Sequence, residues 1–549
     1  MHSVAHIVRR CRTLHRTPVS PIAYSTIAYP PRPPVTGDWS LMPLHMKSSF
    51  CDERFFIFNS QLSTTMNTPI FDFVKRYTDL RPARLHMPGH KGRGPLGCEE
   101  WDITEIPGAD SLYEAAGIIA GSEANAARLF GCPTFYSTEG SSHCIRAMLL
   151  LAMQSCHSEQ KQFRVLAARN CHKAFLSAAA LLDLDVVWLP GSTDAYLSAQ
   201  PTPKLLDAAL AESGADAVYL TCPDYLGFLP ELAPLAKVCH AHGALLLVDN
   251  AHGAYLRFLS PSRHPIDLGA DLCCDSAHKT LPVLTGGAYL HVAERMVAEA
   301  GGETHSLRKA DIREALALFG SSSPSYLILQ SLDLANPYLE ALPKRLADFL
   351  PKLAALKARL SAAGWTVVGD EPMKLTLDLR PVGTSIACPP FSRFSSGAAL
   401  AAALEQAGIY CEFADADYLV CMFSPENSAE ELRRLETALP DIDAETDGKL
   451  RAGNACSCIP EFPECSAGGG GPVAAPAGGS APVSVCSLRA AMLAPAVTIP
   501  ARESLGRVLA RPGVSCPPAV PILMPGERID EAAVAAFAKY GIERVSVLP

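Results

Sequence analysis

From about residue 120, short apolar segments alternate with longer amphipathic ones, and this alternation most restricts the fold. Residues 185–189 (DVVWL) and 243–249 (GALLLVD) are apolar on consecutive positions, as in a strand that is buried on both faces. Residues 173–182 (KAFLSAAALL) and 204–213 (KLLDAALAES) have the apolar period of a helix. Buried strands separated by helices predict an α/β fold with a mainly parallel sheet that helices cover on both sides.

The same pattern locates the individual elements and the edge of the sheet where ligands should bind. It predicts strands at residues 164–168, 185–189, 217–221, 243–249 and 271–276, and helices at residues 70–77, 123–130, 145–153, 173–182, 204–213, 231–243 and 343–364. In such sheets ligands bind beyond the carboxyl ends of the strands. Polar clusters follow four of these strands, at residues 170–172, 221–225, 249–252 and 276–279. We expect them to meet in one crevice.

Composition shifts divide the rest of the chain. Residues 331–445 mix helices with short strands (WTVVG, KLTLDL, YLVCMF) and predict a smaller α+β domain. Residues 446–490 are rich in Gly, Ala and Pro and predict a linker, whereas residues 491–549 regain a pattern and predict a small C-terminal cap. Residues 1–65 are irregular, and we interpret them as an over-extended start or a dispensable leader rather than a targeting segment.

Charge and cysteine content narrow the class of ligand. The 47 Lys and Arg against 56 Asp and Glu give a net charge of −9, which disfavours a general nucleic-acid binder. No apolar run approaches the ~18 residues that span a bilayer. The 19 cysteines lack a regular spacing and predict thiols in a reducing compartment, the cytoplasm. Cys456, Cys458 and Cys465 have no paired Cys or His nearby, so we expect no metal, and small molecules are the expected ligands.

Nucleotide motifs do not explain the chain. The segment GRGPLG at residues 92–97 fits a dinucleotide-binding pattern, but no strand precedes it and Pro95 interrupts it. The Walker A pattern is absent from the sequence. A nucleotide-dependent enzyme is therefore disfavoured.

Lys279 and Asp249 are the leading candidates for chemistry. A lysine after a sheet strand can form an imine with a carbonyl cofactor, although a single lysine is more often a surface charge. A carboxylate at the end of an apolar strand, such as Asp249, could keep a pyridine nitrogen protonated, although it could equally be a turn or cap residue.

Other polar residues fit the remaining parts of such a cofactor. Ser141 and Ser142 follow Gly140 at the start of a predicted helix, where N–H groups and hydroxyls suit a phosphate, although a plain N-cap serine is the alternative. Ser276 and His278 would add donors to that phosphate. His172 follows a strand and could lie flat on an aromatic ring.

Seven motifs together resemble those of one family. They are RLHMPGHKG (84–92), DITEIPGADSL (102–112), RNCHKA (169–174), DNAHGA (249–254), DSAHKTLPVLTGGAYL (275–290), SSSPSYLILQSLDLA (321–335) and PPAVPILMPGERI (517–529). The chain resembles the short form of the Orn/Lys/Arg decarboxylase family, pyridoxal-phosphate enzymes of aspartate-aminotransferase-like fold (fold type I). The resemblance covers residues 68–445 and 501–548 and implies that residues 66–330 form an N-terminal arm and the large cofactor-binding domain.

The resemblance implies a role for each candidate residue. Lys279 would carry the imine to pyridoxal 5'-phosphate, Asp249 would pair with the pyridinium, His172 would stack on the ring and His252 would lie beside it. The phosphate would be bound by Ser141, Ser142, Ser276 and His278. Ser322 or Ser323 would reach the cofactor of a neighbouring subunit, which implies a homodimer or a higher homo-oligomer. His90, Lys91 and Asp110 would line the entrance.

The implied activity is decarboxylation of a basic amino acid to an amine for polyamine metabolism, with arginine favoured, then lysine, then ornithine. Glu412, Glu527 and Asp110 are candidates to bind the cationic substrate tail, although each is more often a surface charge. An aminotransferase or carbon-sulfur lyase of the same fold is an alternative, as is a silent regulator that binds pyridoxal phosphate. The intact Lys279 and Asp249 argue against the regulator. The phosphate loop reads TEGSSHC, which leaves Glu139 without a role.

Overall fold

The computed structural model describes residues 66–156, 162–189, 195–297, 306–380, 396–439, 482–513 and 517–549. The segment 1–65, interpreted as a leader, lies outside the described residues, and so does most of the segment 446–490, interpreted as a linker.

The central sheet has the order β1-β7-β6-β5-β4-β2-β3. Its strands are β1 (Thr134–Ser137), β2 (Arg164–Ala168), β3 (Asp185–Leu189), β4 (Ala217–Thr221), β5 (Leu245–Asp249), β6 (Leu272–Asp275) and β7 (Ala288–Val292). Strands β6, β5, β4, β2 and β3 are parallel to one another, whereas β7 runs antiparallel to both β6 and β1. The predicted mainly parallel sheet is confirmed, and β1 and β7 extend it beyond the predicted strands.

Helices cover both faces of this sheet. They are Pro69–Asp79, Ile118–Phe130, Ser141–Ser155, Lys173–Leu182, Pro203–Ser213, Leu232–Ala241 and Lys309–Phe319. Adjacent residues of β5 point to opposite sides: Leu246 packs in one core with Leu206, and Leu247 packs in another with Phe175. Local sequence sets the helix ends, since Thr202 caps the start of Pro203–Ser213 and Gly214 ends it with a φ of 55°.

One long helix, Tyr326–Ala362, connects the large core to the small one. It begins well before the helix predicted at 343–364 and crosses the expected domain boundary at residue 331. Its first half packs in the large core through residues such as Leu332, and its second half packs in the small core through residues such as Leu356.

The described residues of the C-terminal half form two smaller sheets. The small domain has the strand order β10-β11-β9-β8, formed by β8 (Val367–Val368), β9 (Lys374–Asp378), β10 (Phe413–Ala414) and β11 (Tyr418–Met422), with helices at Gly397–Gln406 and 429–439. The C-terminal segment pairs β12 (Val497–Pro500) with β13 (Arg544–Val547) and carries helices Leu488–Leu493 and Glu531–Lys539. Helix Leu488–Leu493 begins inside the segment interpreted as a linker. None of the described helices is both long and apolar enough to cross a lipid bilayer.

Candidate active site

The polar clusters meet at one edge of the sheet because their strands are in register. Thr221 at the end of β4 is aligned with Asp249 at the end of β5, and Asp249 is aligned with Cys274 in β6. The residues that follow these strands therefore leave the sheet side by side. These ends form the edge of the sheet at which the sequence predicts the ligand crevice, and the name crevice is used for this edge.

Lys279 and His252 are in direct contact in this crevice. Lys279 lies in the single turn Ala277–Thr280 that follows β6, and its Nζ donates to His252 Nε2 at 2.9 Å. His252 is 5% exposed, and burial together with the positive charge of Lys279 lowers its pKa well below the usual value. The imidazole is therefore neutral, and it accepts from the lysine.

Asp249 is the last residue of β5. It is 2% exposed and accepts hydrogen bonds from the Tyr219 hydroxyl and the Ala251 N–H, both at 3.2 Å. Burial raises the pKa of Asp249, and the charge of Lys279 opposes that shift. A buried carboxylate of this kind is stabilised by a cationic partner.

The orientation of His172 is fixed by the helix that it caps. Its Nδ1 accepts from the Ala174 N–H at 3.1 Å at the start of helix Lys173–Leu182. Burial and then the charge of Lys279 lower the pKa of His172 to about 4. The ring is thus neutral near pH 7 and carries its proton on Nε2.

Two loops converge at the start of helix Ser141–Ser155. Ser276 Oγ donates to Ser141 Oγ at 2.8 Å, and the N–H of Gly140 donates to Gly286 at 2.7 Å. Gly140 has a φ of 74°, a backbone conformation that is strained for residues with a side chain. It lies directly before the first residue of this helix. The helix N-terminus, with its free N–H groups, and the two serines form an arrangement that suits an anion.

The other residues predicted around the phosphate differ in position. Ser142 lies next to Ser141 and is half-buried, and His278 donates through Nδ1 to Gly287 at 3.0 Å. Ser322 and Ser323 are exposed. Glu139, which the sequence left without a role, accepts from the Ser321 N–H at 2.5 Å. It therefore links the loop before Ser141 to the segment that carries Ser322 and Ser323.

The predicted entrance residues are tied into local structure. His90 donates to Asp102 at 3.2 Å, and the Lys91 ammonium donates to the His86 carbonyl at 2.5 Å. Asp110 accepts from the backbone N–H groups of Ala116, Gly117, Ile119 and Ala120 around the start of helix Ile118–Phe130. Burial raises the pKa of Asp110, but these N–H groups together outweigh it and leave the pKa below its usual value. These hydrogen bonds give the Asp110 carboxylate a structural role at the start of this helix.

The other two acidic candidates have different surroundings. Glu527 is 2% exposed and accepts two hydrogen bonds from Arg169, at 2.7 and 2.8 Å, which join the C-terminal segment to the end of β2. Glu412 accepts from the Tyr225 hydroxyl at 2.8 Å, and the Tyr225 ring packs edge-on against His252 with centroids 5.2 Å apart. Of the three acids, Glu412 is the one that hydrogen bonds to a residue packed on His252.

Tyr225 and Lys374 are site residues that the sequence did not single out. The buried Lys374 begins β9, donates through Nζ to the Asp224 carbonyl at 2.7 Å and lies 5.7 Å from the Tyr225 ring centroid. Burial lowers the pKa of Lys374 to about 8. Tyr225 belongs to the polar cluster that follows β4, so its position in the sequence could have identified it as a site residue. Lys374 comes from the small domain, and nothing in its local pattern indicates the contact.

Comparison with known proteins places the chain in a family. Residues 68–377 match the profile of the Orn/Lys/Arg decarboxylase major domain. The chain belongs to this decarboxylase family. It is accordingly a pyridoxal-phosphate-dependent amino-acid decarboxylase.

Relatives of this decarboxylase match over most of its length. An arginine decarboxylase of Bacillus subtilis is 26% identical over 502 residues, which cover 86% of this chain and 93% of the relative. An arginine decarboxylase of Halalkalibacterium halodurans is 26% identical over 505 residues, which cover 86% and 93%. Among solved structures, lysine decarboxylase A from Pseudomonas aeruginosa has a TM-score of 0.68 at 18% identity and covers 91% of this chain and 82% of its own. The structural match confirms the predicted fold.

The crevice of the decarboxylase fits pyridoxal phosphate. The cofactor has a basic ring nitrogen, an aldehyde and a phosphate, and the crevice offers a buried carboxylate, a lysine and an anion-binding helix start. Three residues at the strand ends, Asn170, Thr221 and His252, have buried side-chain polar atoms without a hydrogen-bond partner among the described residues. A polar ligand in the crevice would supply such partners.

A second buried cluster holds Asn250, the residue that follows Asp249. Asp275 is fully buried and accepts from His264 at 3.2 Å, from His291 at 3.1 Å and from Asn250 at 2.7 Å. The ligand atoms of Asp275 and the two histidines lie within 4.8 Å of one another, a grouping that the sequence did not single out. The hydrogen bonds account for the arrangement, since they satisfy the buried carboxylate and hold Asn250 beside Asp249.

Proposed function

We propose that the chain decarboxylates a basic amino acid, with arginine favoured, then lysine and ornithine, and that the amine enters polyamine metabolism. The observation that carries the proposal is the connection from Glu412 through Tyr225 and His252 to Lys279. It connects a carboxylate to the reactive lysine through two side chains, Tyr225 and His252, and a substrate with a cationic tail needs such a carboxylate. Two arginine decarboxylases among the relatives support arginine.

Four residues hold the cofactor ring in this proposal. Lys279 binds its aldehyde carbon, and Asp249 keeps its ring nitrogen protonated. His172 packs on the ring face. Its imidazole is neutral, and the hydrogen bond from the Ala174 N–H fixes its orientation. When bound, pyridoxal phosphate acts as the electron sink that accepts the electron pair of the broken carboxyl bond. His252, which is neutral and accepts a hydrogen bond from Lys279, orients that amine.

The phosphate is bound by Ser141, Ser142, Ser276 and His278 in this proposal. Ser141 and Ser276 already contact each other at the start of a helix of 15 residues, where the helix dipole favours an anion. His278 donates to the Gly287 carbonyl, and the neighbouring Gly286 carbonyl accepts from the N–H of Gly140, which precedes Ser141. Asp110 and Glu527 are not assigned to the substrate, because the helix start and Arg169 already engage their carboxylates.

Glu412 binds the cationic tail of the substrate in this proposal. An arginine guanidinium offers a planar pair of N–H donors that matches a carboxylate, whereas a lysine or ornithine amine offers a point charge. Tyr225 holds one oxygen of Glu412 at 2.8 Å and so fixes the direction of the carboxylate.

A second subunit completes the site in this proposal. Ser322 and Ser323 are exposed in the single chain and would reach the cofactor phosphate of the neighbour. The segment that carries His90 and Lys91 also exposes apolar side chains, with Leu85 at 95% and Leu96 at 82% exposure. Exposed apolar side chains in one segment are typical of an interface. We infer a homodimer in which this segment lines the entrance to the site.

Product analysis tests the proposal. The purified protein is incubated with pyridoxal phosphate and, in separate reactions, with arginine, lysine or ornithine, and the products are identified by mass spectrometry. Agmatine, cadaverine or putrescine identifies both the reaction and its substrate. A keto acid in place of an amine would show an aminotransferase, and the absence of any product with bound cofactor would show a silent binding protein.

A further inference from the structure

Two cysteines of the small domain lie with their sulfur atoms in contact. Cys411 Sγ and Cys421 Sγ are 3.6 Å apart, and both are free thiols. Cys411 is half-buried and follows the strongly exposed Tyr410, whereas Cys421 is buried in the small core. Cys411 is therefore the more accessible thiol of the pair, and Cys421 is the more buried one.

A β-bulge places the two cysteines opposite each other. Phe413 is registered with Val420, but the N–H of Glu412 also donates to the Val420 carbonyl at 3.0 Å. Glu412 and Phe413 thus oppose one residue, so Cys411 comes to face Cys421 across the strands. Directly opposed residues of antiparallel strands have Cα atoms about 4.5–5.5 Å apart. That spacing falls within the range that a disulfide requires.

The same bulge sets the direction of Glu412. An extra residue in a strand re-aims the side chain that it carries. Here Glu412 turns to the Tyr225 hydroxyl, while the Phe413 ring packs edge-on against the Tyr225 ring with centroids 5.3 Å apart. A change in the backbone at Cys411 is passed to Glu412, the next residue.

We propose that Cys411 and Cys421 form a reversible disulfide when a peroxide reaches them, and that this bond withdraws Glu412 from Tyr225. The Cys411 thiol loses its proton, and the thiolate attacks one peroxide oxygen, breaks the O–O bond and gives a sulfenic acid. The released hydroxide takes up the proton and becomes the first water. The Cys421 thiol then attacks the Cys411 sulfur, the disulfide forms and water leaves. Together the two thiols lose two electrons, which reduce hydrogen peroxide to two waters. A dithiol reverses the reaction by reducing the disulfide.

The chemistry of the pair agrees with this order of events. The hydrogen bond from the Cys421 thiol lowers the pKa of Cys411, which favours the thiolate at the accessible sulfur. Cys421 has its pKa raised by the same contact and by burial, as befits the resolving thiol.

Peptide mapping tests the bond without any reference to activity. The full-length protein is treated with hydrogen peroxide, alkylated, digested without reductant and analysed by mass spectrometry. A cross-linked Cys411–Cys421 peptide that disappears with dithiothreitol is expected in wild type and in a C486S control, and not in C421S. If other thiols are oxidised while this peptide is absent, the proposal is overturned.

The effect on Glu412 is measured by kinetics and rests on the proposed function. Oxidation should raise the KM for the basic amino acid about tenfold, equivalent to about 1.4 kcal/mol, in wild type and C486S but not in C421S. A mapped disulfide with an unchanged KM would overturn the effect on Glu412. If the reduced protein forms no amine, the proposed function fails, and the peptide map still decides whether the disulfide exists.

Discussion

Lys279 Nζ lies 2.9 Å from His252 Nε2, and the two residues follow adjacent parallel strands of the sheet. The contact joins the lysine that carries the cofactor in this account to a neutral, buried imidazole. It also connects that lysine to the small domain, because Tyr225 packs on His252 and contacts both Glu412 and Lys374.

Replacing Lys279 by alanine should abolish covalent attachment of the cofactor. Borohydride reduction followed by peptide mapping should find the pyridoxyl group on the Lys279 peptide of wild type and on no peptide of K279A. K75A is the matched control, because Lys75 is an exposed lysine paired with Asp79. A pyridoxyl group on a different lysine in wild type would move the cofactor elsewhere.

Replacing His252 by alanine should lower kcat by about 10-fold to 100-fold, because a hydrogen bond to a charged group is worth about 1.5–3 kcal/mol. Lys279 would lose its hydrogen-bond acceptor while the cofactor phosphate site stays intact. Steady-state kinetics with parallel borohydride trapping separates the two effects. Full activity in H252A would remove His252 from the mechanism.

Replacing Glu412 by glutamine should weaken substrate binding more than it slows the reaction. A hydrogen bond to a charged group is worth about 1.5–3 kcal/mol, so KM should rise about 10-fold to 100-fold. E405Q changes an exposed carboxylate on a neighbouring helix and should leave KM unchanged. Equal effects of the two substitutions would show that Glu412 acts only through general charge.

Removing the buried ion pair should destabilise the C-terminal segment. Glu527 accepts two bonds from Arg169, and breaking a buried pair costs about 3–5 kcal/mol. Arg169 is 25% exposed, so the lower end of that range is expected for E527Q. Thermal unfolding and limited proteolysis measure the change. A melting temperature equal to that of wild type would show that the pair contributes nothing.

Asp333 should make the stability depend on pH. Burial raises its pKa to about 7 from the ordinary value of 3.8, so the folded state favours the protonated acid. Its contribution is complete below about pH 4 and is lost as the pH rises to about 7, by at most about 1.4 kcal/mol per pH unit. D333N keeps acceptors for the Ile70 and Phe71 N–H groups but does not titrate. The melting temperature of D333N minus that of wild type should increase between pH 5 and 7.5, and a constant difference would contradict the assignment.

The strand pattern predicted the centre of the fold and its ligand edge, because the buried strands β2, β4, β5 and β6 read as continuous apolar runs, as does the half-buried edge strand β3. It did not predict β1 and β7. β1 is four residues long, and β7 follows the lysine loop and reverses direction, which no local pattern indicates. Pro337 and Pro343 inside helix Tyr326–Ala362 obscured its first half, since proline usually ends a helix.

The side-chain environment of the acids could not be read from the sequence. Glu527 and Arg169 are 358 residues apart, and only the folded chain brings them together. Asp110 was a candidate because it is acidic and lies in one of the family motifs, but its carboxylate accepts hydrogen bonds at the start of a helix. Glu412 and Lys374 reach Tyr225 only because the small domain packs on the loop after β4.

The most direct test measures carbon dioxide from carboxyl-labelled arginine, lysine and ornithine together with the amine formed. The account predicts labelled carbon dioxide in equal amount to the amine from one of the three, agmatine from arginine being favoured, and neither product with K279A. Amine-free turnover to a keto acid, or equal carbon dioxide from wild type and K279A, would contradict it.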